Sequence, residues 1–184
     1  MEGKAIKKPG TITKQDAENI MRQLDPRDRD IFWISVETGL RIGDILKLQI
    51  YDVQHNPMKI YETKTKRSRL IGISDELHEH LKRKYKYRAS LWGGNSVILL
   101  FKGSRSDGKA INRSTYHRRL KKAATALKIN FSAHSGRKLF AQSIFERTGS
   151  VPAVQEAMNH KYITTTAAYL DIDLDKLLAE YKKT

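Results

Sequence analysis

Apolar residues first recur at helical spacing just after Thr13. Thr13 followed by Asp16 makes a capping-box pattern, and Ala17, Ile20, Met21 and Leu24 then share one face, which predicts an amphipathic helix. Asp25-Pro26 supplies a cap and a first-turn proline for a second helix through Ile31, Phe32 and Val36, which Gly39 can end in a left-handed conformation. Leu40 to Leu48 predicts a short third helix. From about Tyr51 to Ile73 the period changes to alternation, with Ile60 before and Leu70, Ile71 and Ile73 after a Lys-rich turn at Thr63 to Arg67, and this predicts a small antiparallel sheet. Ser74 caps a helix carrying Leu77 and Leu81. Val97 to Phe101 reads as a strand or a buried segment, Lys102 to Lys109 as a loop, and Asn112 as the cap of a helix with Tyr116, Leu120, Ala123, Ala124 and Leu127. Short helices follow at Ser135 to Arg147, ended by Gly149, and at Pro152 to Met158, Thr164 to Leu170 and Leu174 to Tyr181. The pattern predicts a mainly helical α+β fold with one small antiparallel sheet inserted between helices. Residues 1–10, ending Lys7-Lys8-Pro9-Gly10, hold little apolar content and read as a flexible basic arm ahead of a single domain over 11–184.

Charge adds a partner to this picture. The chain of 184 residues carries 35 Lys and Arg against 20 Asp and Glu, a formal net charge of +15, which favours a polyanion. Nucleic acid is the leading candidate. No apolar run approaches the ~18 residues of a spanning helix, so a membrane is not expected and the cytoplasm, at the nucleoid, is the expected location. The fourth helix ends in Lys82-Arg83-Lys84-Tyr85-Lys86-Tyr87-Arg88, where cations alternate with aromatics; this suits phosphate contact and a solvated helix end equally. Cysteine is absent, the histidines lack paired-ligand spacing, and no carboxylate cluster suggests a magnesium site, so neither metal nor cofactor is expected.

Five segments carry candidate chemistry, each ordinary alone. Thr38-Gly39-Leu40-Arg41-Ile42-Gly43-Asp44 presents an arginine where one helix ends and the next begins. Lys64 sits at the tip of the predicted hairpin, with Lys66 beside it. His134-Ser135-Gly136-Arg137 places a histidine and an arginine on one helical face, able to meet a single anion. His160 follows a helix end marked by Asn159, and Tyr169 lies on a short helix after Thr164-Thr165-Thr166.

In order and spacing together, these segments resemble the tyrosine recombinase family of the phage-integrase type, over about Thr13 to Tyr181. Thr38 to Leu48 is similar to the family's first arginine box, Lys64 to its hairpin lysine, His134 to Arg137 to its His-x-x-Arg box, and Tyr169 to its nucleophile. Asp44 stands where Glu is usual, Gly136 and Lys138 replace a frequent Leu and His, and Asn159 replaces a usual Gly. Asn tolerates the left-handed conformation a helix end requires, so the local geometry should survive. Most members also have an N-terminal domain closing a clamp around DNA, and this chain resembles a short, single-domain form or an isolated catalytic domain.

The resemblance implies a site-specific recombinase, of integrase, excisionase or invertase type, that breaks and rejoins DNA through a 3′-phosphotyrosine. Attack on a phosphodiester builds charge on its non-bridging oxygens, for which Arg41 and Arg137 are suited, with His134 and His160 adding donors. Tyr169 needs its proton removed, and His134 is the expected base. Lys64, with Lys66 as rival, would protonate the departing 5′-oxygen, and Asp44 would hold or balance the arginine cluster. Arg41→Ala and Arg137→Ala are both expected to keep the fold. Dimers or tetramers on paired sites, assisted by DNA-bending accessory proteins, are the expected assembly. The rival readings are a type IB topoisomerase-like enzyme and a catalytically silent DNA-binding regulator of the same fold.

Overall fold

The computed structural model describes residues 11–90, 98–103, 109–132 and 134–173. The expected basic arm, the 104–108 loop and the terminal helix around Leu174 to Tyr181 lie outside these. Chain order is α1 (Lys14–Gln23), α2 (Pro26–Thr38), α3 (Ile42–Ile45), a 3-10 turn (Asp52–Gln54), β1 (Met58–Glu62), β2 (Arg67–Ile71), α4 (Asp75–Ser90), α5 (Arg113–Ala126), α6 (Ser135–Thr148), α7 (Val151–Ala157) and α8 (Ile163–Leu170). The mainly helical α+β reading holds, and the sheet is one antiparallel hairpin in the register Met58–Ile71 to Glu62–Arg67.

α1 begins with the expected reciprocal cap: Thr13 Oγ1 accepts from Asp16 N–H at 3.0 Å and Asp16 Oδ2 from Thr13 N–H at 2.8 Å. Asp25 differs, making no side-chain capping bond; the Pro26 ring and the backbone alone start α2. α2 runs through the middle of the fold, with Ile31, Phe32 and Ile34 almost wholly buried, and packs against α1, α3, α4, α5 and α6. Gly39 ends it at φ 60°, where a Cβ would also collide with the Phe140 ring. Gly136 answers a second close approach: a Cβ there would lie 2.9 Å from Ser35 Oγ and 3.1 Å from Phe32 Cε2, so the start of α6 can lie directly on α2.

α3 is a single turn rather than a helix to Leu48. The chain leaves it because Leu48 and Ile50 pair with 98–100 instead: Ile50 N–H donates to Ile98 O at 2.9 Å and Leu100 N–H to Leu48 O at 2.7 Å. Leu100 and Phe101 are thereby buried, joined through an isolated bridge and not a strand. Within the hairpin, Met58, Ile60 and Glu62 face inward, whereas Leu70 is 67% exposed despite its apolar side chain. Within the cation-rich end of α4, Lys84 Nζ and Tyr85 Oη both donate to the fully buried Asp30, the latter at 3.1 Å. Those two side chains are thus tied to α2.

Candidate active site

An open cavity of about 490 Å³ lies between α2, α3, the hairpin turn, α5, α6 and α8. Arg41, Asp44, Lys64, His134, Arg137, His160 and Tyr169 all line it, so the five segments converge on one space.

Arg41 caps α3 with an extended backbone, directly after the left-handed turn at Gly39. Its Nη1 donates to Glu62 Oε2 at 3.0 Å. Glu62 is only 2% exposed, and a carboxylate tolerates such burial when donors surround it. Asn159 Nδ2 donates to Oε2 at 2.8 Å, and Arg69 Nε lies 3.0 Å from Oε1. Sequence analysis did not single out Glu62. Asn159 adopts φ 50°, the left-handed conformation expected of it.

Asp44 is placed in the site but does not take the arginine-holding part assigned to it. One turn beyond Arg41 it faces the hairpin, and its Oδ1 accepts from the backbone N–H of Thr63 at 3.0 Å. Lys47 Nζ donates to Thr63 Oγ1, also at 3.0 Å. α3 therefore grips the residue before Lys64 and fixes the turn that carries it. Lys66 does not line the cavity; it sits at φ 53° with its N–H on Glu62 O at 2.9 Å.

Arg137, in the first turn of α6, is 6% exposed. Its Nη1 donates to Gly39 O, and its Nη2 donates to Met158 O at 2.7 Å and to His160 Nε2 at 3.2 Å. Burial first, then the like charge of Arg41, lowers its pKa to about 10, which still leaves a cation at neutral pH. A guanidinium only donates, so His160 Nε2 accepts; the ring proton is then on Nδ1 and is donated to Thr166 Oγ1 at 3.1 Å. Burial, followed by Arg137, Arg41 and Lys64, pulls the His160 pKa to about 4, in keeping with a neutral ring. His160 was expected to offer a donor to phosphate; here both nitrogens are engaged and it holds Arg137.

His134 precedes α6, and its Nδ1 lies 3.0 Å from the Tyr169 hydroxyl. Burial and then the charges of Arg137, Arg113 and Lys138 push its pKa below the ordinary value, which favours a neutral ring, and in the tautomer with its proton on Nε2 the Nδ1 atom accepts from the phenol. Tyr169 itself stands near the end of α8, half-buried against Ala141, Val154 and Met158. Arg113, the first residue of α5, is a further cavity-lining cation that sequence analysis passed over; its place follows from Asn112, whose side chain caps that helix. Among the described residues no three His, Asp or Glu come together as a metal cage would require. None of their helices is long and apolar enough to cross a membrane.

Known proteins resemble this chain in sequence and in fold. The probable integrase/recombinase YoeC of Bacillus subtilis (strain 168) is 32% identical over 170 residues, covering 91% of this chain and 90% of that protein. The tyrosine recombinase XerA of Saccharolobus solfataricus is 28% identical over 85% of this chain, which spans only 50% of it. Among solved structures, a XerA recombinase superposes with a TM-score of 0.73 at 20% identity, over 97% of this chain and 66% of its own. The catalytic domain of bacteriophage HP1 integrase gives 0.61 at 19% identity, over 95% of both chains. The profile of the phage integrase family matches residues 11–175, the whole of the folded body just described, and the chain belongs to that family.

Proposed function

We propose that the protein is a site-specific DNA recombinase that cuts and rejoins DNA through a covalent bond between Tyr169 and a 3′-phosphate. One observation carries the reading: the Tyr169 hydroxyl rests 3.0 Å from His134 Nδ1, in a cavity also lined by Arg41 and Arg137. A scissile phosphate drawn into that space meets nucleophile, base and counter-charge together. Tyr169 Oη attacks phosphorus as His134 Nδ1 takes its proton. Arg41 and Arg137 neutralise the charge that builds on the non-bridging oxygens, and Arg137 is aimed by His160 and by its two carbonyl contacts. Lys64 Nζ protonates the 5′-oxygen as the phosphorus–oxygen bond breaks. The phosphotyrosine conserves the ester, so a 5′-hydroxyl from a second strand reverses the step without ATP.

Exchange needs two cut duplexes held side by side, so the chain is expected to self-associate on paired sites, with DNA-bending proteins as accessory factors. A related recombinase, XerH, has been captured bound to its difH substrate in a post-cleavage complex, with a TM-score of 0.70 over 98% of this chain. The experiment is to trap the protein on nicked suicide DNA carrying candidate sites. Wild type should form a denaturation-resistant adduct that maps to Tyr169, and Tyr169→Phe should bind DNA and form none. Adducts from Tyr169→Phe, or wild-type adducts on Tyr162, would overturn the assignment.

A further inference from the structure

We infer that Glu62 is a positioning residue for the cleavage reaction, which fixes Arg41 against the scissile phosphate and ties that pose to the segment carrying His160. The inference rests on the recombinase reading above. Glu62 closes β1 on its inward face, which places its carboxylate behind a cavity otherwise rich in cations. Its two oxygens are divided. Oε2 takes Arg41 at 3.0 Å and Asn159 at 2.8 Å, while Oε1 faces Arg69 at 3.0 Å. Arg69 in turn donates to Ala157 O at 2.8 Å, where α7 ends, so hairpin, Arg41 and the turn before His160 share one carboxylate.

Two consequences separate this from a merely structural ion pair. Fixing Nη1 on Glu62 removes rotamer freedom from Arg41 and leaves its other N–H groups for phosphate, so ordering is complete before the substrate arrives. The negative charge also moderates the repulsion between Arg41 and Arg137, since Glu62 raises the Arg137 pKa while Arg41 lowers it. Asn159 supplies this carboxylate with a side-chain donor that a glycine at the same left-handed position would lack.

The test is a double-mutant cycle on full-length protein, reading adduct formation on suicide DNA and DNA affinity for wild type, Glu62→Gln, Arg41→Ala and the double variant. Glu62→Gln should slow adduct formation by roughly ten- to a hundredfold, as loss of a supporting partner does, with DNA affinity within about twofold of wild type. In the Arg41→Ala background the same change should cost less than about threefold, because its effect runs through that arginine. An adduct rate for Glu62→Gln equal to or above wild type, or an equal loss in both backgrounds, overturns the inference. If Glu62→Gln does not fold, Glu62→Asp, which keeps the charge but retracts it, enters the cycle with the same expectations; if that also fails to fold, Glu62 is a structural charge and the inference is lost. Absence of any wild-type adduct would instead sink the recombinase reading, so the two failures are distinct.

Discussion

Tyr169 and His134 together decide how the reaction should respond to acid. The His134 pKa lies below its ordinary 6.5, so the ring is already a base at neutral pH. Cleavage should therefore be level from pH 7 upward and fall only as pH drops through the depressed value; a rise continuing between pH 7 and 8 in single-turnover assays would remove His134 from the role. Lys64→Ala should slow cleavage of ordinary DNA but much less on a substrate whose 5′-leaving group is an activated thiol needing no proton. Equal defects would pass the acid role to Lys66 or elsewhere, although Lys66 lies outside the cavity lining. The candidate residues that line the cavity were legible because their order and spacing together resemble a known pattern. What Arg137, His160 and Asp44 bond to was not, since neither Met158 O, Thr166 nor the Thr63 amide is near them in a spacing argument. Glu62 did have a signal: Met58, Ile60 and Glu62 alternate, and period two put its carboxylate on the buried face, where it had to find cations.

At the scale of elements, the junction of α2 and α6 is the most exposed to substitution. Gly39→Ala meets both a left-handed φ of 60° and the Phe140 ring, so it should cost more than ~2 kcal/mol, seen as a lowered denaturant midpoint. Arg137→Ala was expected to keep the fold, and the contacts of the guanidinium add an expected cost in stability. The guanidinium satisfies the carbonyls of Gly39 and Met158 in a buried setting, so its removal should destabilise by ~3 kcal/mol as well as abolish cleavage. Urea titration of Arg137→Ala beside Arg41→Ala checks this, the second losing less stability because Arg41 is a quarter exposed. Caps and glycine stops were readable: Thr13, Ser74, Asn112, Gly39 and Gly149 all end or begin helices as their chemistry requires. Less readable were α3, shortened by pairing of Leu48 with a segment some fifty residues on, and the inward turn of Lys84 and Tyr85 onto Asp30. Both depend on partners that local pattern does not contain.

For the molecule as a whole, the net charge of +15 should make DNA affinity fall steeply with salt, by a slope of roughly −0.9 in log K against log salt for each phosphate neutralised. Affinity flat across that range would contradict a backbone-dominated interface. Stability should also depend on pH in a defined window. His160 titrates near 4 when folded but near 6.5 when unfolded, so the unfolded state binds the extra proton first; stability is full above 6.5 and is lost progressively as pH falls toward 4, which thermal melts across that range will show. Fold class and site were legible together because one pattern of spacing encodes both, with helix ends doubling as mounts for the charged groups. The carbonyl contacts of Arg137 bear on heredity as well. A copy of the gene that drifts at Tyr169 should still encode an intact body, whereas one that drifts at Arg137 should encode a less stable chain, more prone to unfold and be degraded. Inert descendants that persist in a lineage should accordingly keep the arginine and lack the tyrosine.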